Sequence, residues 1–225
     1  NGPDYVPAHI EDSLSSLNWL DISMPGFAEL KNLCKPIFKY DDLPFNLDYP
    51  KVPHDSNAVF VLKKSFELSP NWSDRDVFAV FEGISTSYFV YLNGGLVGYN
   101  EDTKAASEYL LNKYLKPGRN EITLILIRYS DGSYFETHDG WSLTGINRAS
   151  YLLARPKIRI NDFFAKTNLN GTKGVLDVET KIANKSTLSS DVIIEAKILD
   201  EKTRFVLTST QIKSHINQNS MAFNK

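Results

Sequence analysis

Residues 88–99 read YFVYLNGGLVGY. Two apolar runs, Tyr88–Leu92 and Gly95–Tyr99, flank Asn93-Gly94. Asn-Gly between apolar runs is a strong hairpin signal, because both central positions of the tight turn need positive φ. Working outward, Val59–Leu68, Val77–Glu82 and Glu121–Tyr129 are rich in Val, Ile, Leu and Phe and too short for good helices. They read as further strands. Glu108–Leu115 is expected to form one or two helical turns, ended by Pro117-Gly118. Residues 1–50 carry Pro3, Pro7, Pro25, Pro36, Pro44 and Pro50 and read as loop.

Ala154-Arg155-Pro156 marks a boundary. Beyond it lie strand candidates at Lys157–Thr167, Gly174–Ala183, Ser190–Leu199 and Arg204–Lys213, with turn signals between them. Regularly spaced strands with almost no helix predict an all-β chain built of β-sandwiches. The expected domains are 1–155 and 156–225. A seven-stranded sandwich needs about 100 residues and the second segment offers about 70, so that sandwich is expected to be incomplete. The last ten residues, INQNSMAFNK, read as frayed and polar.

Composition narrows the function classes. The chain has 225 residues, 42% hydrophobic and 23% charged, with a formal net charge of -2. No basic cluster occurs, which argues against nucleic acid as a main partner. No apolar run approaches the roughly 18 residues of a membrane-spanning helix, so no membrane partner is expected. The single cysteine, Cys34, allows no intrachain disulfide and reads as an inert thiol. Asn71, Asn170 and Asn184 begin Asn-x-Ser/Thr sequons, a number expected by chance. His9, His54, His138 and His215 form no metal-ligand motif. No phosphate-binding glycine loop and no G-x-S-x-G elbow is present. The sequence carries no statement about compartment.

The candidate site lies between Arg128 and Ala154, RYSDGSYFETHDGWSLTGINRASYLLA. Ordinary connections take about 2–6 residues, and this one is several times longer. It sets Asp131, Glu136 and Asp139 among Tyr134, Phe135 and Trp141. An aromatic face covers the apolar side of a sugar ring while carboxylates accept bonds from its hydroxyls. The bland alternative has the rings filling a satellite core and the acids in water. Glycoside hydrolysis needs two carboxylates about 5–5.5 Å or 6.5–9.5 Å apart. Nothing in the spacing of these three acids enforces that separation, so a binding or ion-ligating role for Asp139 is the preferred reading. A hard cation held by oxygen ligands is compatible with it.

Three stretches resemble the amino-terminal domain of β-galactosidases of glycoside hydrolase family 2. They are FEGISTSYFVYLNGGLVGYNEDT at 81–103, YLKPGRNEITLILIRYSDGSY at 114–134 and DGWSLTGINRASYLLARPKIRINDFF at 139–164. Weaker similarity reaches back to Trp19 through Met24-Pro25-Gly26 and Pro36-Ile37-Phe38. The resemblance implies a jelly-roll (galactose-binding-like) β-sandwich followed by a partial immunoglobulin-like β-sandwich. It also implies a following TIM-barrel domain, outside this chain, that carries both catalytic glutamates. The chain itself would hold no catalytic residue.

By the same resemblance, Asp139 matches the aspartate that reaches into the barrel's active site to contact the galactose 6-hydroxyl and a sodium ion, with Trp141 behind it. Substrate-binding roles thus fall on Asp139 and Trp141, and a metal role on Asp139. Magnesium is implied for the parent enzyme. Three places depart from the family pattern: Lys39-Tyr40 where an asparagine contacts sugar, Ser142 for an arginine, and Tyr129 for a tryptophan. They leave a related β-glycosidase activity or an altered aglycone site as alternatives. The expected partners are a β-galactoside, the missing barrel and a homo-oligomer. Two rivals are a stand-alone carbohydrate-binding module and a purely structural or oligomer-forming arm.

Overall fold

The computed structural model describes residues 14, 18–38, 43–53, 55–136 and 140–224. The chain divides into two compact units, Asn1–Ala154 and Arg155–Lys225. The first unit contains β1 (Gly26–Phe27), β2 (Ile37–Phe38), β3 (Val59–Glu67), β4 (Asp76–Phe81), β5 (Ile84–Ser85) and β6 (Ser87–Leu92). It continues with β7 (Gly95–Asn100), β8 (Ser107–Leu110), β9 (Arg119–Ile127), β10 (Trp141–Ser142), β11 (Gly145–Ile146) and β12 (Ser150–Arg155). A four-stranded sheet runs in the order β3-β9-β6-β7 and a three-stranded sheet in the order β12-β4-β8. Two small ribbons, β1-β11-β5 and β10-β2, complete the unit.

Strand alternation explains the core. Tyr88, Val90 and Leu92 of β6 share one face with Leu124 and Leu126 of β9. They form one buried cluster with Val77, Ala79 and Phe81 of β4 and Leu111. Phe89 and Tyr91 point the other way and pack with Leu14, Val61, Leu96 and Ile125. Apolar cover on both faces is why β6 buries all six of its residues. The predicted hairpin is present: Leu92 pairs with Gly95, and Asn93 and Gly94 take φ of 51° and 85°. The Asn93 amide donates to Tyr114 O and to Asn120 Oδ1, both at 2.8 Å. Buried Asn120 also binds Lys116 and Gly118 through its side chain.

Two expectations fail. Glu108–Leu115 is not helical. Phe78–Phe81 of β4 pairs with Leu110–Ser107 of β8, and Leu111 N donates to Val77 O at 2.8 Å. Exposed Glu108 and Leu110 alternate with half-buried Tyr109 and buried Leu111, a period of two that favours strand over helix. The chain end is also ordered differently from expectation, as the second unit shows.

That unit consists of β13 (Ile158–Asn170), β14 (Lys173–Asn184), β15 (Ser190–Leu199), β16 (Val206–Ile216) and β17 (Ser220–Asn224). The sheets are β13-β14-β17 and β15-β16, with every pairing antiparallel. Ser220–Asn224, read from sequence as frayed, pairs in register with Asn184–Thr180. Its shortness and the polar residues before it hid a strand that its backbone ladder, rather than burial, defines. Asn184 is fully buried: its amide donates to Leu188 O and Ile216 O, and its oxygen accepts from Ser186 N and Oγ. Its sequon is therefore committed to the fold.

Candidate functional site

The site region is built on the β2-β10 ribbon. Trp141 pairs with Phe38 and Ser142 with Ile37. Period-two alternation turns Ser142 inward, where it is buried, and leaves Trp141 61% exposed beside Phe38 at 46%. Their rings meet edge to face, with centroids 5.3 Å apart and planes at 76°. This geometry holds an indole at the surface without burying it. Asp139 and its neighbours Thr137 and His138 lie outside the described residues, as do Lys39 and Tyr40. Of the two residues given a substrate-binding role, Asp139 and Trp141, Trp141 is the one whose placement is described.

Beneath the ribbon lies a polar layer that sequence reading missed. Glu29 opens a short 3-10 turn and is only 3% exposed, and Arg128, just past β9, is 7% exposed. Arg128 Nε stands 3.7 Å from Glu29 Oε1. Glu29 Oε2 accepts from Thr144 N at 2.8 Å, and Arg128 Nη2 donates to Lys35 O at 2.6 Å. The Arg128 backbone is fixed in turn, its N–H donating to Ala58 O and its carbonyl accepting from the buried Thr86 hydroxyl. The Cys34 thiol sits against this pair. Burial, and then the Glu29 charge, pushes its pKa up to about 11, with Arg128 pulling the other way. A chemically quiet thiol follows. No sequence spacing links positions 29 and 128, so only the fold reveals them as partners.

The loop after β9 folds more than a plain loop would. Gly132–Phe135 makes one helical turn, and the Asp131 carboxylate accepts from Gly132 N at 3.1 Å. Glu136 is committed to Thr103, whose N–H and hydroxyl both donate to its carboxylate. The Tyr99 hydroxyl bonds Glu101 at 2.7 Å and holds that carboxyl down. Burial, Asp131 and Glu136 outweigh it, and the net shift of Glu101 is upward. Among the described residues, no group of three His, Cys, Asp or Glu stands so as to hold a metal ion. The sodium expected at Asp139 falls outside that set.

The departures at Tyr129 and Ser142 are both buried. Tyr129 packs edge-on against Phe45 at 5.2 Å, and its backbone exchanges two hydrogen bonds with the Asn57 amide. Gly145, at φ +155°, brings β11 so close to β1 that a Cβ would lie 2.1 Å from Gly26 O. Gly145 is a packing requirement of this ribbon.

Residues 6–156 match the sequence profile of the glycosyl hydrolases family 2 sugar binding domain. The chain belongs to glycosyl hydrolase family 2. The β-galactosidase of Streptococcus thermophilus is 36% identical over 191 residues, 83% of this chain and 18% of that protein. The β-galactosidase of Psychromonas ingrahamii is 34% identical over 188 residues, again 18% of its length. The family 2 chain therefore spans under a fifth of the length of these relatives. In fold it is similar to a putative β-galactosidase from Bacteroides fragilis, with TM-score 0.71, 17% identity and coverage of 100% of this chain and 32% of that one. A Bacteroides uniformis β-glucuronidase superposes with TM-score 0.74 at 14% identity, over 93% of this chain and 24% of that one. The all-β fold, a jelly-roll sandwich followed by an immunoglobulin-like unit, is thus that of family 2 amino-terminal regions.

Proposed function

We propose that this chain is the non-catalytic, sugar-facing part of a β-galactosidase-like glycoside hydrolase. The observation that carries the reading is the exposed Trp141 ring, packed edge to face against Phe38 within the span that matches the family's sugar-binding domain. The indole face covers the apolar side of a sugar ring. Asp139, two positions earlier, accepts a bond from the sugar 6-hydroxyl and supplies an oxygen ligand to sodium. Bond cleavage falls to two glutamates of a TIM-barrel domain of the same polypeptide, by a retaining mechanism through a covalent glycosyl-enzyme. Magnesium serves the parent enzyme, which assembles as a homo-oligomer.

The described acids support this division of labour. Glu136 is occupied by Thr103 and Asp131 by its own helical turn, which leaves neither poised as a nucleophile. The experiment is Asp139→Ala in the whole enzyme. Hydrolysis of a terminal β-galactoside should fall at least about a hundredfold, the scale for losing a group that orients substrate, while thermal unfolding stays in place. Unchanged hydrolysis removes Asp139 from the site. Calorimetry on the isolated chain should show galactose binding weaker than millimolar; millimolar or tighter binding would make it a stand-alone module.

A further inference from the structure

We propose that Glu29 and Arg128 are positioning residues: a buried clamp that sets the Phe38–Trp141 ribbon at the angle sugar contact requires. The inference rests on the sugar-facing reading of that ribbon. Its geometry is specific. In the β2-β10 register, Trp141 faces Phe38 and Ser142 faces Ile37. Thr144 lies two residues after β10, and Lys35 lies two residues before its antiparallel partner β2. These are the two backbone positions the clamp holds. Glu29 Oε2 takes the Thr144 N–H at 2.8 Å, and Arg128 Nη2 takes the Lys35 carbonyl at 2.6 Å. One ion pair therefore grips the chain just beyond the same end of both ribbon strands.

The pair is also tied to rigid structure. Ala28 N donates to Thr144 O at 2.8 Å, doubling the link between the Glu29 turn and the β10 side. Arg128 continues β9, a central strand of the four-stranded sheet. The ribbon itself has only two residues in each strand, so its own ladder cannot fix its orientation. Among the described residues Glu29 Oε1 and Arg128 Nε have no hydrogen-bond partner, and the two charged groups stand 3.7 Å apart. Neutralising one leaves its partner buried and unpaired, and the cheapest relief is movement of the turn and ribbon towards solvent.

The test uses fluorine NMR of the chain labelled with 5-fluorotryptophan. Its three tryptophan resonances, from Trp19, Trp72 and Trp141, are assigned by Trp141→Phe. Glu29→Gln should shift or broaden the Trp141 resonance and leave those of Trp19 and Trp72 in place. Should Glu29→Gln fail to fold, Arg128→Lys carries the test, since it keeps the charge but loses the fork that holds Lys35. An unmoved Trp141 resonance in a folded variant overturns the inference. In the whole enzyme, Glu29→Gln should raise KM for a β-galactoside about tenfold, with kcat changing less. The double variant with Trp141→Ala should be no worse than Trp141→Ala alone; additive losses would make the pair merely structural. If the resonance moves but Trp141→Ala leaves KM unchanged, the clamp stands and the sugar-facing reading falls.

Discussion

Strands β6 and β13 are both regular antiparallel strands, yet β6 buries all six of its residues and β13 buries none of its thirteen. Hydrogen-bond ladders define both, and apolar residues occur in both. Only β6 has apolar side chains packed on each face. In β13, Phe163, Phe164 and Leu169 are largely exposed. A ladder fixes geometry, whereas stability follows from apolar area removed from water. The first unit therefore offers a rigid platform for a site. The second is held by a few points, among them Ile182, Ala183, Ile216 and the Asn184 amide.

This contrast can be broken by experiment. Leu126→Ala, in the core beside Tyr88 and Val90, should cost about 2–5 kcal/mol in urea unfolding. A loss under about 1 kcal/mol would show the first core to be loosely packed. Asn184→Ala should cost the second unit about 1–3 kcal/mol, because it strands two carbonyls and the Ser186 N–H. Glu101→Gln should stabilise modestly, by about 1–2 °C in Tm, since solvent screens the acids around it. The folded carboxyl titrates above its usual range, so its protonated form is favoured below that range and the benefit is lost as pH rises through the folded value. The gain from Glu101→Gln should accordingly grow with pH, and a gain that shrinks would contradict the crowding of Glu101 by Asp131 and Glu136. Phe163→Ser should fall within about 0.5 kcal/mol of the parent. A larger loss would mean that the exposed face of β13 is covered in solution. Hydrogen exchange should rank the units in the same order, with the amides of Tyr88–Leu92 slower than those of Phe163–Asn168.

Much of the fold was legible because strands announce themselves locally. Asn93-Gly94 fixed a hairpin and its register, and Val59–Leu68, Val77–Glu82 and Glu121–Tyr129 each fall within one residue or two of β3, β4 and β9. Glu108–Leu115 misled because a four-residue strand beside a turn is too short for its period to stand out. Ser220–Asn224 misled because it is only five residues long and follows the polar run Asn217-Gln218-Asn219, and its exposed positions, Met221 and Phe223, give no buried apolar face to read. In the site, the sequence singled out Trp141 but left open whether the loop's rings are exposed or fill a satellite core; the β10 register leaves Trp141 exposed. The Glu29–Arg128 pair did not, since a contact between residues 29 and 128 leaves no trace in either local sequence.

The central claim is that this chain presents an aromatic surface to a sugar. It is tested most directly by kcat/KM for a terminal β-galactoside in the whole enzyme carrying Trp141→Ala. Loss of an exposed stacking ring should lower kcat/KM about tenfold or more with the fold intact. An unchanged kcat/KM would contradict the account.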